Sequence, residues 1–415
     1  MAADRAESFQ PLTGVRVLEL SRLVPGAAVT HRLADLGADV VKVEEPPVGD
    51  YIRQVLPHVD GIGVQHLTLD RNKRSLALGL RSDEGVAVLH ELARSADAVV
   101  ESSRPGTMAR RRADYATLAE LNPALVYLSY TGYGQDTRYA HLPSHGSNLA
   151  AFAGVNPIER RADGVVVHGP MPYGRYRASM ELAALQASHT LLAALFQARA
   201  TGRGRHLDMS LVHTLMAGDY AAMTDYANNG GLYWQDLPQP TPKYAYYECS
   251  DGEVLLVCAI EERFWRSFCE LIERPDLAER GAWGEREMDF GAEDVELYAD
   301  VQETIRTRTR AEWLDLLIPS GLPCSPVNSV ADALADPDIG GRLMTDRQTL
   351  PGGREVTLMA PAWAAGHDVE FGATPAPGLG RDTDAVLADF GVAERTVAAA
   401  REAGALSAPA GPRSA

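Results

Sequence analysis

The sequence predicts an α/β fold: a parallel sheet with helices on both faces in the first half of the chain, and a smaller α+β domain after it. Three observations predict it. Short apolar strands alternate with helical segments between residues 15 and 130, the order that βαβ units require. The composition then shifts at Asn228-Asn229-Gly230-Gly231 and the proline-spaced stretch Leu237 to Pro242. Finally, 415 residues exceed what one hydrophobic core holds, so about two domains are expected.

Val15 to Leu20 is a short apolar strand, and Gly26 to Leu36 a helix closed by Gly37. Asp39 to Val43 is the next strand. Ser82 is placed to cap a helix that runs to Leu92, with Asp83 and Glu84 in its first turn, where carboxylates meet the positive end of the helix dipole. Ala98 to Val100 and Leu125 to Tyr130 add two strands. A long helix, Ser179 to Ala200, ends at Thr201-Gly202-Arg203-Gly204 and feeds strand His206 to Ser210. In the second domain, Tyr244 to Ala259 is a hairpin split at Ser250-Asp251-Gly252, and helices follow at Glu262 to Ile272 and Arg310 to Leu317. A last helix lies near Thr383 to Phe390, and residues 405–415 are expected to be disordered. Ligands of parallel sheets bind beyond the strand C-termini, so the loops there are where a site is sought.

The chain has 39 basic and 56 acidic side chains, a net charge of −17, which argues against a nucleic-acid or membrane-surface binder. Basic clusters in so acidic a chain are therefore informative. Cys249, Cys258, Cys269 and Cys324 form no C-x-x-C pair, and reduced, mostly buried thiols in a cytosolic protein are the expectation. Met1 to Gln10 has no apolar signal core, and no apolar run approaches the ~20 residues of a membrane span. No metal site or tightly bound cofactor is expected.

Arg71-Asn72-Lys73-Arg74 and Arg104-Pro105-Gly106 with Arg110-Arg111-Arg112 suit phosphates, since a guanidinium forks onto two oxygens; a solvated surface patch fits them equally well. Gly132-Tyr133-Gly134 follows a strand and reads as a turn. His145, at a loop–helix junction, suits either a general base or a structural hydrogen bond. Glu181, in the first turn of the long helix, suits either the helix dipole or a substrate. No nucleophile elbow, H-E-x-x-H or P-loop is present, so serine hydrolase, zinc protease and P-loop NTPase have no support.

Taken in order, several segments resemble the family III CoA-transferases, a family that includes the α-methylacyl-CoA racemases. Leu12-Thr13-Gly14-Val15-Arg16-Val17-Leu18-Glu19-Leu20-Ser21-Arg22 is similar to the family opening, and Leu33-Ala34-Asp35-Leu36-Gly37-Ala38-Asp39-Val40-Val41-Lys42-Val43-Glu44 to its second signature. Asn72-Lys73-Arg74-Ser75, Arg104-Pro105-Gly106, Thr131-Gly132-Tyr133-Gly134-Gln135, Thr201-Gly202-Arg203-Gly204, Gly321 to Asn328 and Ala376 to Gly380 continue the match. The resemblance implies a Rossmann-like large domain (10–225 with 331–404), a small domain (226–330), long linkers near 211–240 and 331–360, and an interlocked homodimer.

It also implies roles. Arg104 and Arg110 match contacts to the CoA nucleotide, and Arg71, Lys73 and Arg74 a loop near the same phosphates. His145 matches the histidine of the racemase pattern Gly-His-Asp-x-Asn-Tyr, with Gly146 in place of aspartate, Asn148 retained and Leu149 in place of tyrosine. The family's aspartate falls at Ser179 or Met180, and Glu181 is the neighbouring carboxylate. The implied activity is transfer of CoA between carboxylic acids, with an acyl-CoA thioester as substrate. The alternatives are a 2-methylacyl-CoA racemase using His145, or a CoA-binding subunit paired with a catalytic paralogue.

Overall fold

The structure is a computed structural model that describes residues 9–155, 158–168, 175–231, 239–280, 283, 288–365 and 371–406. The chain divides into two compact units, 1–220 with 341–415, and 221–340.

In the first unit, β1 (Arg16–Glu19), α1 (Val24–Asp35) and β2 (Asp39–Glu44) are followed by a two-residue hairpin, β3 (His58–Val59) and β4 (Ile62–Gly63). Next come α2 (Val64–Leu69), β5 (Lys73–Ala77), α3 (Asp83–Ala93), β6 (Ala98–Glu101), α4 (Thr107–Arg110), α5 (Tyr115–Leu121) and β7 (Val126–Thr131). After these follow α6 (Gly146–Phe152), a small ribbon of β8 (Ile158–Arg160) and β9 (Val166–His168), α7 (Arg175–Thr201), β10 (Arg205–Ser210) and α8 (Leu211–Met216). Six strands form one sheet in the order β10-β7-β6-β1-β2-β5, every pair parallel. Their buried residues divide into two apolar clusters, one around Val17, Val40 and Leu191, the other around Leu18, Val41 and Leu89. Neighbouring residues of one strand point to opposite faces, so a sheet covered on both sides reads as a continuous apolar run.

The Ser82 cap is present, its Oγ accepting from Gly85 N–H at 3.1 Å. The long helix begins at Arg175, four residues earlier than expected. The Arg71–Arg74 segment departs most from expectation: it is not a loop, because Lys73 and Arg74 open the edge strand β5. Chain from the far end covers that edge. Gly380 N–H donates to Ser75 Oγ (2.9 Å), Ser75 N–H to Asp382 Oδ2 (2.9 Å) and Ala77 N–H to Thr383 Oγ1 (3.2 Å). An edge so covered presents no free ladder to another chain. Ala405 and Leu406 are buried, and Leu406 bridges Leu78, so the expected disordered tail does not include them. Residues 407–415 lie outside the described residues.

Under the sheet lies a cluster of buried charges. Glu19 accepts from Lys42 Nζ and Lys73 Nζ, each at 2.8 Å. Asp70 lies 3.1 Å from Lys73 and 3.4 Å from Lys42, and Asp50 lies 3.0 Å from Lys42. Burial alone would raise the Glu19 pKa, but Lys42 and Lys73 overcome it and hold the carboxyl at about 2.

The second unit is α+β. Strands Tyr244–Glu248, Val254–Cys258 and Cys324–Pro326 form an antiparallel sheet. Helix Glu262–Leu271 supplies Trp265 and Phe268 to its core, helix Val295–Ile305 supplies Leu297 and Val301, and helix Arg310–Leu317 supplies Trp313. Both indoles are satisfied there, Trp265 by Leu277 O (3.1 Å) and Trp313 by Ile305 O (2.7 Å). All four cysteines are free; burial pushes Cys249 up to about 11 and Cys269 to about 12, which leaves them inert as nucleophiles. The segments expected as linkers carry structure of their own: helix Tyr220–Asn229, and, after residue 330, helix Val330–Ala335 with hairpin Asp346–Thr349 and Glu355–Leu358. Part of the proline-spaced stretch, 237–238, lies outside the described residues.

Lys73→Met leaves Glu19 and Asp70 short of a counter-ion in the core and is expected to cost about 3–5 kcal/mol in urea unfolding; a loss below about 1 kcal/mol would contradict this placement. Because folding lowers the Glu19 pKa from 4.5 to about 2, its contribution is complete above pH 4.5 and lost as pH falls toward 2. Stability measured across that window should decline, and Glu19→Gln should flatten the decline.

Candidate active site

Loops that leave the sheet at the C-termini of four adjacent strands form one wall of a cavity of about 1800 Å³. Leu20 and Arg22 follow β1, Ser102 to Arg104 follow β6, Gly132 and Tyr133 follow β7, and Leu211 follows β10. This is the position at which open parallel sheets bind ligands. Helix α1 runs along the cavity from Leu23 to Asp35, and Glu181 of α7 faces it.

The rim is held by backbone geometry. Leu23 precedes α1 with φ of 60°, a conformation that costs a non-glycine residue free energy. Asp50 holds it there by accepting from Leu23 N–H at 2.9 and 3.1 Å. Gly26 lies so close to Ser21 that a Cβ would sit 2.0 Å from Ser21 Oγ. At Gly132 a Cβ would meet Ser144 Oγ at 2.7 Å, so a glycine lets the loop before α6 close over the end of β7.

His145 and Glu181 both line this cavity. His145 is exposed at the start of α6, where its backbone N–H donates to Asn148 Oδ1 at 2.9 Å. The Glu181 carboxylate is half-exposed and lies 2.6 Å from Arg32 Nη2. Met180 is buried, and the Ser179 side chain lies outside the described residues.

The five basic residues expected at a phosphate site separate. Arg104 lines the cavity. Arg110 is exposed beside it, and its Nη2 donates to Thr107 Oγ1 at 3.3 Å. Arg71 reaches the cavity wall, but its guanidinium is 2% exposed, forked onto Asp35 (2.6 and 3.1 Å) and stacked over Phe371. Lys73 is 1% exposed and committed to Glu19 and Asp70. Arg74 pairs with Asp39 (2.5 Å) and Asp389 (2.7 Å), toward the strand ends opposite the cavity. As placed, Arg71, Lys73 and Arg74 are each committed to carboxylates of the fold.

Two arginines not singled out from the sequence do face the cavity: Arg22 and Arg111. Among the described residues, Arg22, Arg104 and Arg111 form no ion pair. Uncommitted guanidinium groups in so acidic a chain offer a place for an anion. Both lay within motifs already noted. Arg111 differs from Arg110 by one residue, about 100° around a helix, which spacing alone does not resolve.

The family model for CoA-transferase family III matches residues 12–383. The chain belongs to that family. It is 30% identical to succinate–glutarate CoA-transferase of Agrobacterium fabrum over 95% of this chain and 99% of the relative. It is 34% identical to succinyl-CoA:mesaconate CoA-transferase of Haloarcula hispanica, over 84% of this chain and 88% of the relative. Among solved structures, a CaiB/BaiF family protein from Brucella suis superposes with a TM-score of 0.71 at 26% identity, covering 92% of this chain and 100% of the other. No helix among the described residues is long and apolar enough to cross a membrane.

If Arg22, Arg104 and Arg111 hold the phosphates of CoA, replacing any one by alanine should raise the KM for an acyl-CoA about tenfold, more at low salt. Arg74→Ala should leave that KM unchanged. A rise for Arg74→Ala equal to that for Arg104→Ala would overturn the assignment.

Proposed function

We propose that this chain transfers CoA between carboxylic acids, with an acyl-CoA thioester as donor and Glu181 as the carboxylate that carries the group. The observation that carries the reading is one cavity lined both by an accessible carboxylate and by three guanidinium groups that form no ion pair among the described residues, in a chain of this family. CoA supplies the anions, a pyrophosphate and a 3′-phosphate, for Arg22, Arg104 and Arg111. Arg32 orients Glu181.

The steps balance without an external acid or base. A Glu181 carboxylate oxygen attacks the thioester carbonyl, the C–S bond breaks, and CoA thiolate leaves behind a mixed anhydride. The thiolate attacks the glutamyl carbonyl, freeing the first acid as its carboxylate and forming a glutamyl-CoA thioester. The acceptor carboxylate then repeats the sequence in reverse, and Glu181 is regenerated. A covalent intermediate divides one difficult exchange into easier ones. The names of the two relatives point to small dicarboxylic acids as the first acceptors to test.

The apolar side chains that α7 leaves exposed, Leu182, Leu185 and Phe196, support a homodimer as the working unit, interlocked as the family resemblance implies. Sedimentation of the purified chain as a monomer would remove that part of the reading.

Purified protein incubated with a 2-methylacyl-CoA and a mixture of free acids in deuterium oxide should yield new acyl-CoA masses. Glu181→Gln should reduce the transfer rate at least about a thousandfold, and His145→Ala should leave it within about tenfold. Deuterium at the α-carbon without a new thioester would instead assign α-proton exchange through His145. Neither signal until a paralogous chain is added would make this chain a binding subunit.

A further inference from the structure

We infer that Arg32 is a catalytic residue of the transfer: it holds one oxygen of Glu181 and receives the negative charge that forms there whenever the glutamyl carbonyl is attacked. This rests on the transfer reading above.

The two oxygens of the Glu181 carboxylate are not equivalent. Oε2 lies 2.6 Å from Arg32 Nη2. Oε1 has no hydrogen-bond partner among the described residues. The guanidinium is fixed from both helices. Its Nη1 donates to Ala28 O of α1, and its Nη2 donates also to Glu181 O of α7 at 3.3 Å. The two helices pack together, and both side chains line the cavity. Among the described residues, Glu181 is the one carboxylate within ion-pair distance of Arg32. A pair this open to water adds little to stability. Its consequence is chemical.

The free oxygen is the one that attacks. Oε1 adds to the thioester carbonyl carbon and CoA thiolate leaves. Oε1 is then the bridging oxygen of the anhydride, and Oε2 is the glutamyl carbonyl oxygen. The thiolate adds to Cδ of Glu181, and the carbonyl electron pair moves onto Oε2. The pair returns as the Cδ–Oε1 bond breaks and the first acid leaves as its carboxylate. The acceptor carboxylate adds to the same carbon of glutamyl-CoA. The pair moves onto Oε2 again and returns as the C–S bond breaks.

In the anhydride and the thioester, Glu181 is neutral and Arg32 has lost its counter-ion. Arg32 therefore favours each step that returns charge to Oε2, a differential interaction between carbonyl and oxyanion. Its N–H already points at that oxygen, so little rearrangement is needed. The guanidinium keeps its proton throughout and acts only as a donor. The first attack, at the acyl carbonyl, gains nothing from it. The effect of Arg32 falls on the two steps that join the anhydrides to glutamyl-CoA.

The test isolates one of those steps. The chain is loaded with CoA from an acyl-CoA, freed of excess thioester, and mixed with a carboxylic acid, and discharge is followed by intact mass. Arg32→Ala should slow discharge at least about a hundredfold, with the KM for acyl-CoA little changed. Guanidinium chloride at millimolar concentration should restore much of the rate to Arg32→Ala, and sodium chloride at equal concentration should not. Discharge at the unaltered rate overturns the inference and leaves the transfer reading intact. A loss that appears only in the KM for acyl-CoA assigns Arg32 to substrate binding and overturns it. Slow discharge that guanidinium does not restore assigns a structural role and also overturns it. If circular dichroism shows Arg32→Ala unfolded, Arg32→Lys carries the comparison: slower discharge at unchanged KM supports the inference, and unaltered discharge overturns it. Transfer by the unaltered chain with no CoA on Glu181 overturns the transfer reading and this inference together.

Discussion

The Glu19 carboxylate accepts from one ammonium group on β2 and another on β5, so three neighbouring strands are tied at a fully buried point. Thr30 and Ser21 donate to the same carboxylate, which ties in α1 and the loop before it. Lys42 passes the connection to Asp50, and Asp50 holds the Leu23 N–H. A chain of buried charge therefore reaches from the middle of the sheet to the rim of the cavity. Buried ion pairs add little net stability over apolar packing, but removing one partner is severe. Their value here is placement: the start of α1 is set relative to β1, β2 and β5.

The cations sort by whether a carboxylate meets them. Arg71 has Asp35, Arg74 has Asp39 and Asp389, Arg53 has Glu44, and Lys42 and Lys73 share Glu19. With 56 acidic and 39 basic side chains, an excess of carboxylates is available to neutralise arginine. Arg22, Arg104 and Arg111 line the cavity beyond the ends of adjacent strands and form no ion pair among the described residues, so their charge is left facing it. Arg32 lies between the two sets: it is paired, but its partner Glu181 is exposed on the cavity side.

Much of the fold was legible because its signals are local. The βα alternation, the Ser82 cap and the 244–259 hairpin each depend on residues a few positions apart. The family motifs placed the chain, and they drew His145, Glu181 and Arg104 to one cavity. The misplaced residues depend on long-range contacts. Lys73 looks like a phosphate ligand until Glu19, 54 positions earlier, is seen to face it. Arg74 likewise depends on Asp39 and Asp389, and Arg71 on Asp35 and the carbonyl of Met359. A basic run records the charge of a segment but not the carboxylates that fold onto it. The choice between Arg110 and Arg111 needed the short turn of α4, which starts at Gly106 with φ of 76°.

The account depends most on Glu181 carrying the transferred group. The direct measurement is intact-mass and peptide mass spectrometry of the protein mixed with an acyl-CoA and quenched in acid within a turnover. The account predicts that the chain gains the mass of CoA less one water, on the peptide holding Glu181, and that added carboxylic acid discharges it. CoA recovered on another residue, or none on the protein while transfer proceeds, would contradict it.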